Sequence, residues 1–361
     1  MRLSHPLIIG AGPAGCAAAI ALGRGGTRCT LIDRDEEVGD PLCGGFLSWR
    51  TAEQLEALDV NIDALGAHRI SRLRLFAGTR SSEVALPRAA FGLSRLALDS
   101  EMRRMAIANG AQFSVDTIRG VDSGKAIGSQ REWNAPAIFL ASGKHDIRGQ
   151  SRPRTAKDTT LGIRLRLPAT PKRTSLIGDA IELHLIDGGY VGIVLQEGGS
   201  ANICLAVRKS ALARAGGSPD GLFAQLADQH PAMAERLGDD LRDARTDTIG
   251  AVPYGWICSD TAPGLFRLGD QAAVIPSLAG EGISIALASA QAAARSHSAN
   301  RSSQDYQAEF ATRVRRPVRL ASTLWHTAET HLGARAAIAL SRMAPGLIAT
   351  LAQGARIPPV A

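Results

Sequence analysis

The stretch "PLIIGAGPAGCAAAIALGRGGTRCTLIDRD", residues 6–35, restricts the fold more than any other part of the chain. Leu7, Ile8 and Ile9 make a short apolar strand that runs straight into Gly10, Gly12 and Gly15 at GxGxxG spacing. An alanine-rich helix opening with Pro13 and Ala14, and a second strand at residues 29–33, complete a strand–turn–helix–strand unit. Gly10 suits the tight turn, Gly12 lets the backbone come close to a pyrophosphate, and Gly15 lets the helix lie near the sheet. The helix start offers unpaired N–H groups and the positive end of its dipole to phosphate oxygens. Asp33, ending the second strand, stands where a carboxylate accepts hydrogen bonds from an adenosine ribose and discourages a phosphate on that ribose. For Arg34 two readings stay open, contact with adenine or another phosphate and a surface role. The unit predicts a site for an ADP-containing cofactor without choosing between FAD and NAD.

A chain of 361 residues can bury a large apolar core, as one extended domain or two joined ones. Cys16, Cys29, Cys43, Cys204 and Cys258 are scattered, odd in number and without a CxxC pair, which argues against a disulfide framework or a thiolate zinc site. A reducing compartment follows as the expectation. The N-terminal apolar run passes directly into glycines without the long hydrophobic region of an export signal, so a cytoplasmic protein is expected.

A formal charge of +7 and a pI near 9.5 suit DNA, anionic lipid or an anionic cofactor. The basic residues are dispersed, aromatics make up only 4%, and no zinc-finger or RNA-binding signature is present, so no nucleic-acid partner is expected. The apolar segment at residues 336–353 is broken by Arg342 and Pro345, which argues against a membrane span. Its two open readings are a cover over a hydrophobic pocket and a peripheral contact at the inner face of a membrane.

The cofactor choice comes from the second half of the chain. Residues 265–290, "LFRLGDQAAVIPSLAGEGISIALASA", predict a strand ending at Gly269 and Asp270, a loop through Pro276 and Gly280, and a small-residue helix from Glu281 or Gly282. Together with "GAGPAG" and "LIDR", this resembles the two FAD signatures of the aromatic-hydroxylase and geranylgeranyl-reductase superfamily. The resemblance runs from about residue 5 to 300 and is strongest in these motifs. It implies that FAD is the cofactor and that Asp270 binds the ribityl chain. Backbone around Gly269, Pro276, Gly280, Gly282 and Ile283 is implied to contact the pyrophosphate and isoalloxazine. Physically, a carboxylate accepts from ribityl hydroxyls, and glycines admit the cofactor without side-chain collision.

The same resemblance implies that Arg95, before a central helix, contacts FAD, with Arg88 and Arg103 less secure. In "IFLASGKHDIRG", residues 138–149, Ser142 stands where many hydroxylases have an aspartate. That departure weakens direct NADPH or NADH use and leaves these as external electron sources, with a reductase or carrier partner as another route. Lys144, His145 and Arg148 either touch cofactor phosphates or form a solvated loop. "PLCGGFLS", residues 41–48, resembles the cysteine-glycine segment beside the flavin in the geranylgeranyl-reductase branch, which implies that Cys43 and Gly44 pass close to the ring. Cysteine also fills core space as a small soft side chain, and that reading stays open.

Strand-like runs at residues 161–167, 180–186, 190–196 and 201–207 predict a largely antiparallel sheet, which the resemblance places over the flavin with substrate between. His184 and Glu182 share one face of their strand and Asp187 lies on the other, so they make no metal cluster, and His326 and His331 are wrongly spaced for one helix face. No GxSxG elbow occurs. Tyr190, and Tyr254 with Trp256 in "AVPYGWICSD", line the substrate space or pack the core.

The fold expectation is α/β with an α+β substrate region: a glutathione-reductase-like FAD-binding fold, an antiparallel substrate-side sheet and C-terminal helices. Its parts are residues 1–78 and 111–155 of the FAD-binding domain, a connecting FAD-contact region at 79–110, a substrate region at 156–260, the second FAD motif at 261–300 and a helical region at 301–361. The functional expectation is an FAD-dependent oxidoreductase, with monooxygenation of a hydrophobic phenolic or aromatic molecule placed first. Candidate catalytic residues are Cys43, His184, Tyr190 and Tyr254, and no metal is expected. Saturation of an isoprenoid-like double bond is the alternative; an oxidase or dehydrogenase and a redox scaffold also stay open. The missing tryptophan-rich signature of flavin halogenases disfavours halide chemistry.

Overall fold

In the computed structural model, which describes residues 1–122, 124–153 and 156–358, the first strand, Leu7–Ile9, lies at the centre of a five-stranded sheet. Its neighbours are Cys29–Asp33 and Ile138–Leu140, and the outer strands are Ala111–Val115 and Leu265–Arg267, all paired in parallel. Parallel strands need crossovers, and the first is the helix Pro13–Arg24. Its alanines pack against the helix Gly282–Ser298 in one apolar cluster with almost no exposed surface. Small side chains permit that close approach, and this is why both cofactor motifs open alanine-rich helices.

The four strand-like runs of the middle chain form as Thr160–Leu167, Ala180–Ile186, Gly189–Leu195 and Ala201–Arg208. They belong to an eight-stranded sheet that also takes Thr246–Val252, His68–Ala77, Arg80–Gly92 and Phe46–Leu47. All its pairs are antiparallel except Ala180–Ile186 against His68–Ala77. Here the expected segmentation needs correction. Residues 68–92 are a long hairpin of this second sheet, not the end of a cofactor segment and the start of a connector. Its tip carries Gly78 at φ 60°, where glycine turns the chain without strain. The helix Arg95–Ala108 follows, capped by the Ser94 hydroxyl.

A small sheet, Ile118–Asp122, Lys125–Gly128 and Glu132–Asn134, covers one side of the parallel sheet, with Trp133 donating to Asp116 at 2.8 Å. After the second motif the chain is helical: Ser303–Ala328, His331–Met343 and Pro345–Gly354. The proposed boundary at 155 and the final residues 359–361 fall outside the described residues.

Candidate flavin and substrate site

The phosphate turn has the geometry its glycines predict. Gly10 has φ 101°, and a Cβ there would sit 2.4 Å from the Ala141 carbonyl oxygen. A Cβ on Gly15 would lie 1.8 Å from the Gly10 oxygen. Both glycines therefore shape the turn and do not themselves line the cavity beside it. The helix after the turn starts at Pro13 with no side-chain cap, leaving its first N–H groups for an anion. Asp33 is held facing the turn, accepting from Ala11 N–H at 2.6 Å. Arg34 is more than half exposed and pairs with Asp35. Neither Asp33 nor Arg34 borders the cavity.

That cavity, about 940 Å³, joins both cofactor motifs to the second sheet. Gly12, Pro13 and Ala14 border it from the first motif, Arg95 from the start of the helix Arg95–Ala108, and Gly269, Asp270, Gly280, Gly282 and Ile283 from the second motif. Arg95 Nε and Nη2 grip Asp99 at 2.8 and 2.6 Å, and neither bond uses Nη1. Gly280 has φ 67°, and a Cβ there would lie 2.6 Å from the Phe46 ring. Pro276 begins the turn Ser277–Ala279 but does not itself border the cavity.

The residues fit FAD. A Cβ added at Gly44, Gly143 or Gly282 would meet nothing within 4 Å, so three backbone segments leave open space around one volume. Asp270 supplies a carboxylate to it, and the uncapped 17-residue helix Gly282–Ser298 begins there. Asp33, the turn N–H groups, Arg95 and Asp270 would hold the adenosine, pyrophosphate and ribityl parts.

Cys43 borders the cavity with Gly44, and its Sγ accepts weakly from Gly45 N–H at 3.5 Å. The segment is clamped to the second sheet by residues that sequence reading did not single out. Asn202, fully buried, donates to the carbonyls of Cys43 and Gly44 at 3.1 and 2.8 Å. Arg164 reaches the Asp40 and Pro41 carbonyls and pairs with Asp40 and Asp247. From the parallel-sheet side Lys144, which the sequence does single out, donates to the Leu42 carbonyl at 2.8 Å. Lys144 is thus a strut of this loop, while Arg103 holds the chain after Asp33 by donating to the Glu36 carbonyl at 2.7 Å. Arg88 pairs with Glu53 at the surface.

On the sheet side the wall is mainly aliphatic: Leu73, Leu75, Leu86, Ile181, Leu183 and Leu185. Two expected tyrosines interrupt it. Tyr190 and Tyr254 donate to Ser277 Oγ at 2.8 and 2.7 Å, and both rings meet Trp325 edge-on. Burial raises both phenol pKa values, keeping the hydroxyls protonated. Ser277 accepts from both, so its own proton remains for a third partner. Trp256 does not border the cavity.

His184 has to be withdrawn as a catalytic candidate. Alternation along its strand points Leu183 and Leu185 into the cavity and His184 away. Its ring stacks on Phe76 with centroids 4.3 Å apart, and Nε2 meets Glu182 at 3.3 Å. Glu182, itself fully buried, is also bound by Arg74 and Arg236. Burial lowers the His184 pKa, so a neutral imidazole serves this ion cluster. Among the described residues no group of three His, Cys, Asp or Glu is arranged to hold a metal ion. All five cysteines are free thiols, and burial pushes Cys204, which borders the cavity, up to about 12.

Comparison with known proteins agrees with this geometry. Residues 4–114 match a family model described as the FAD binding domain. The menaquinone reductase of Mycolicibacterium smegmatis is 26% identical over 317 residues, covering 80% of this chain and 75% of that protein. PqsL of Pseudomonas aeruginosa, a probable FAD-dependent monooxygenase, shares the fold with a TM-score of 0.70 at 16% identity, covering 94% of this chain and 99% of that one. So does a geranylgeranyl bacteriochlorophyll reductase-like protein of Thermoplasma acidophilum, at 0.66 and 18% over 98% and 91%. The N-terminal match and the two-signature cradle make this chain an FAD-dependent oxidoreductase that resembles the aromatic-hydroxylase and geranylgeranyl-reductase superfamily.

Proposed function

We propose that this flavoprotein is a monooxygenase acting on a hydrophobic molecule with a phenolic or other oxygen-bearing aromatic head and an apolar tail. The observation that carries the reading is a group of three hydroxyls, Ser277, Tyr190 and Tyr254, set in a mainly aliphatic chamber continuous with the flavin cradle. Bound FAD would supply electron transfer and oxygen chemistry. Ser277 donates to the head-group oxygen, and the two tyrosines fix the orientation of that hydroxyl. The leucines exclude water and take up the tail. Tyr190 and Tyr254 stay protonated, so they orient the substrate and do not serve as bases at neutral pH.

A second reading, reduction of a carbon-carbon double bond in an isoprenoid-like chain, is favoured by the 26% identity to a menaquinone reductase and by the cysteine-glycine segment at Cys43. Both readings share the chamber and differ in their need for oxygen. Turnover of long-chain phenols and polyprenyl quinones, followed by mass spectrometry under ¹⁸O₂ and under argon, separates them. Incorporation of one labelled oxygen atom supports monooxygenation. Gain of two hydrogens under argon that persists after any quinol is reoxidised to the quinone transfers the assignment to the reductase.

A further inference from the structure

The cavity does not end at the flavin side. Its wall continues onto the two last helices, His331–Met343 and Pro345–Gly354, through Ala337, Leu340, Ile348 and Leu351. Met343 borders the cavity although it is 84% exposed, and the exposed Ala336 and Ala339 do the same, so the chamber opens to the surface through this helix pair. Leu332, 78% exposed, lies on the same outer stripe as Arg335, Ala336, Ala339 and Met343 at helical spacing. Leu347 adds a third large exposed apolar side chain just beyond the bend.

Hydropathy and charge agree on what covers this face. No single helix among the described residues is long and apolar enough to cross a membrane; these two helices together are that long and apolar but are bent by 114° at the break between them. Helices with one apolar face can lie in the plane of a membrane interface. From Phe310 onward the sequence holds seven arginines, of which Arg356 is taken up by buried Glu281, and one acidic residue, Glu329, whose carboxylate is already held by Arg208 at 2.8 Å. Arg335 is exposed on this stripe itself, and Arg315, Arg316 and Arg319 are exposed on the preceding helix, Ser303–Ala328. Anionic headgroups complement such a surface.

We infer that the helix pair 331–354 docks on an anionic bilayer, with Leu332, Met343 and Leu347 reaching the acyl boundary and the cavity mouth at Met343 receiving a lipid-soluble substrate directly from the membrane. The inference rests on reading the chamber as the substrate space, and it is independent of which reaction takes place there.

The test uses the full-length FAD-loaded protein and vesicles of phosphatidylcholine with or without phosphatidylglycerol, read by co-sedimentation. Wild type should pellet with the mixed vesicles and less with phosphatidylcholine alone, and salt should weaken the difference. A Leu332→Ser, Leu347→Ser variant, at two positions that do not border the cavity, should lose about tenfold or more in vesicle partitioning. Its flavin spectrum and melting temperature should match wild type, which separates loss of docking from loss of fold or cofactor. Absence of wild-type binding to anionic vesicles, or unchanged binding by the folded variant, overturns the inference. So does a salt-resistant dimer that the variant dissolves, because the face would then belong to a second copy. Failure of the oxygen-labelling experiment alone would leave the docking face standing.

Discussion

Replacing Asn202 by alanine tests whether the second sheet holds the flavin cradle in shape. The buried amide donates to two successive carbonyls, Cys43 at 3.1 Å and Gly44 at 2.8 Å, on the segment that borders the cavity. Each bond contributes about 1 kcal/mol net, and each carbonyl left dry adds a further penalty of similar size. Against this, Asn202 Oδ1 is buried without a protein donor, so its removal returns part of the loss. The balance is a destabilisation of about 2 kcal/mol. Because the loosened segment is part of the cradle, a share of that energy should reappear as an FAD dissociation constant raised about tenfold, the equivalent of roughly 1.4 kcal/mol. Urea unfolding of the apoprotein reads the first quantity, and quenching of FAD fluorescence on titration reads the second. Lower stability with unchanged FAD affinity would refute the coupling between sheet and cradle. No change in either would refute the anchoring itself.

Ser277→Ala should weaken binding of a long-chain phenol about tenfold, read as perturbation of the bound flavin spectrum, while leaving FAD content intact. Arg236→Met strips one of two arginines from buried Glu182, leaving Arg74 in place, and should destabilise by about 2 to 3 kcal/mol in urea, with per-molecule FAD affinity in the folded fraction retained. Acid should unfold the same cluster. Burial alone would raise the Glu182 pKa, but hydrogen bonds from His184 and Arg236 outweigh it and hold it at about 2 against an ordinary 4.5. Its contribution is therefore complete above pH 4.5 and lost as pH falls towards 2. His184, lowered mainly by burial from 6.5, adds a loss of the same sign beginning below 6.5. Melting temperature should fall monotonically below that pH, and His184→Gln should flatten the upper part of the curve.

Local rules made the cofactor end legible. Gly10 and Gly15 occupy positions where a side chain would strike backbone, and such constraints leave a mark in sequence that needs no knowledge of distant partners. The middle strands were legible by alternation, within a residue or two of their observed limits. The hairpin at 68–92 was missed because its arginines, Arg72 and Arg74 among them, break the apolar pattern while pairing with Asp179, Glu83 and Glu182. His184 was misread because alternation fixes which residues share a face without saying which face meets the cavity. Asn202 lies in no motif, and Ser277, though inside the second FAD signature, has no distinct role there: both matter through partners 158 and 87 positions away, information that only the folded chain brings together.

Gly10 to Asp33 and Asp270 to Gly282 should close around one flavin dinucleotide. Titration of folded apoprotein with FAD, followed by calorimetry, tests it most directly. One FAD should bind per chain, and Gly15→Ala, which places a Cβ 1.8 Å from the Gly10 oxygen, should abolish that binding. A folded wild-type chain that releases no heat and leaves FAD fluorescence unquenched would contradict the account.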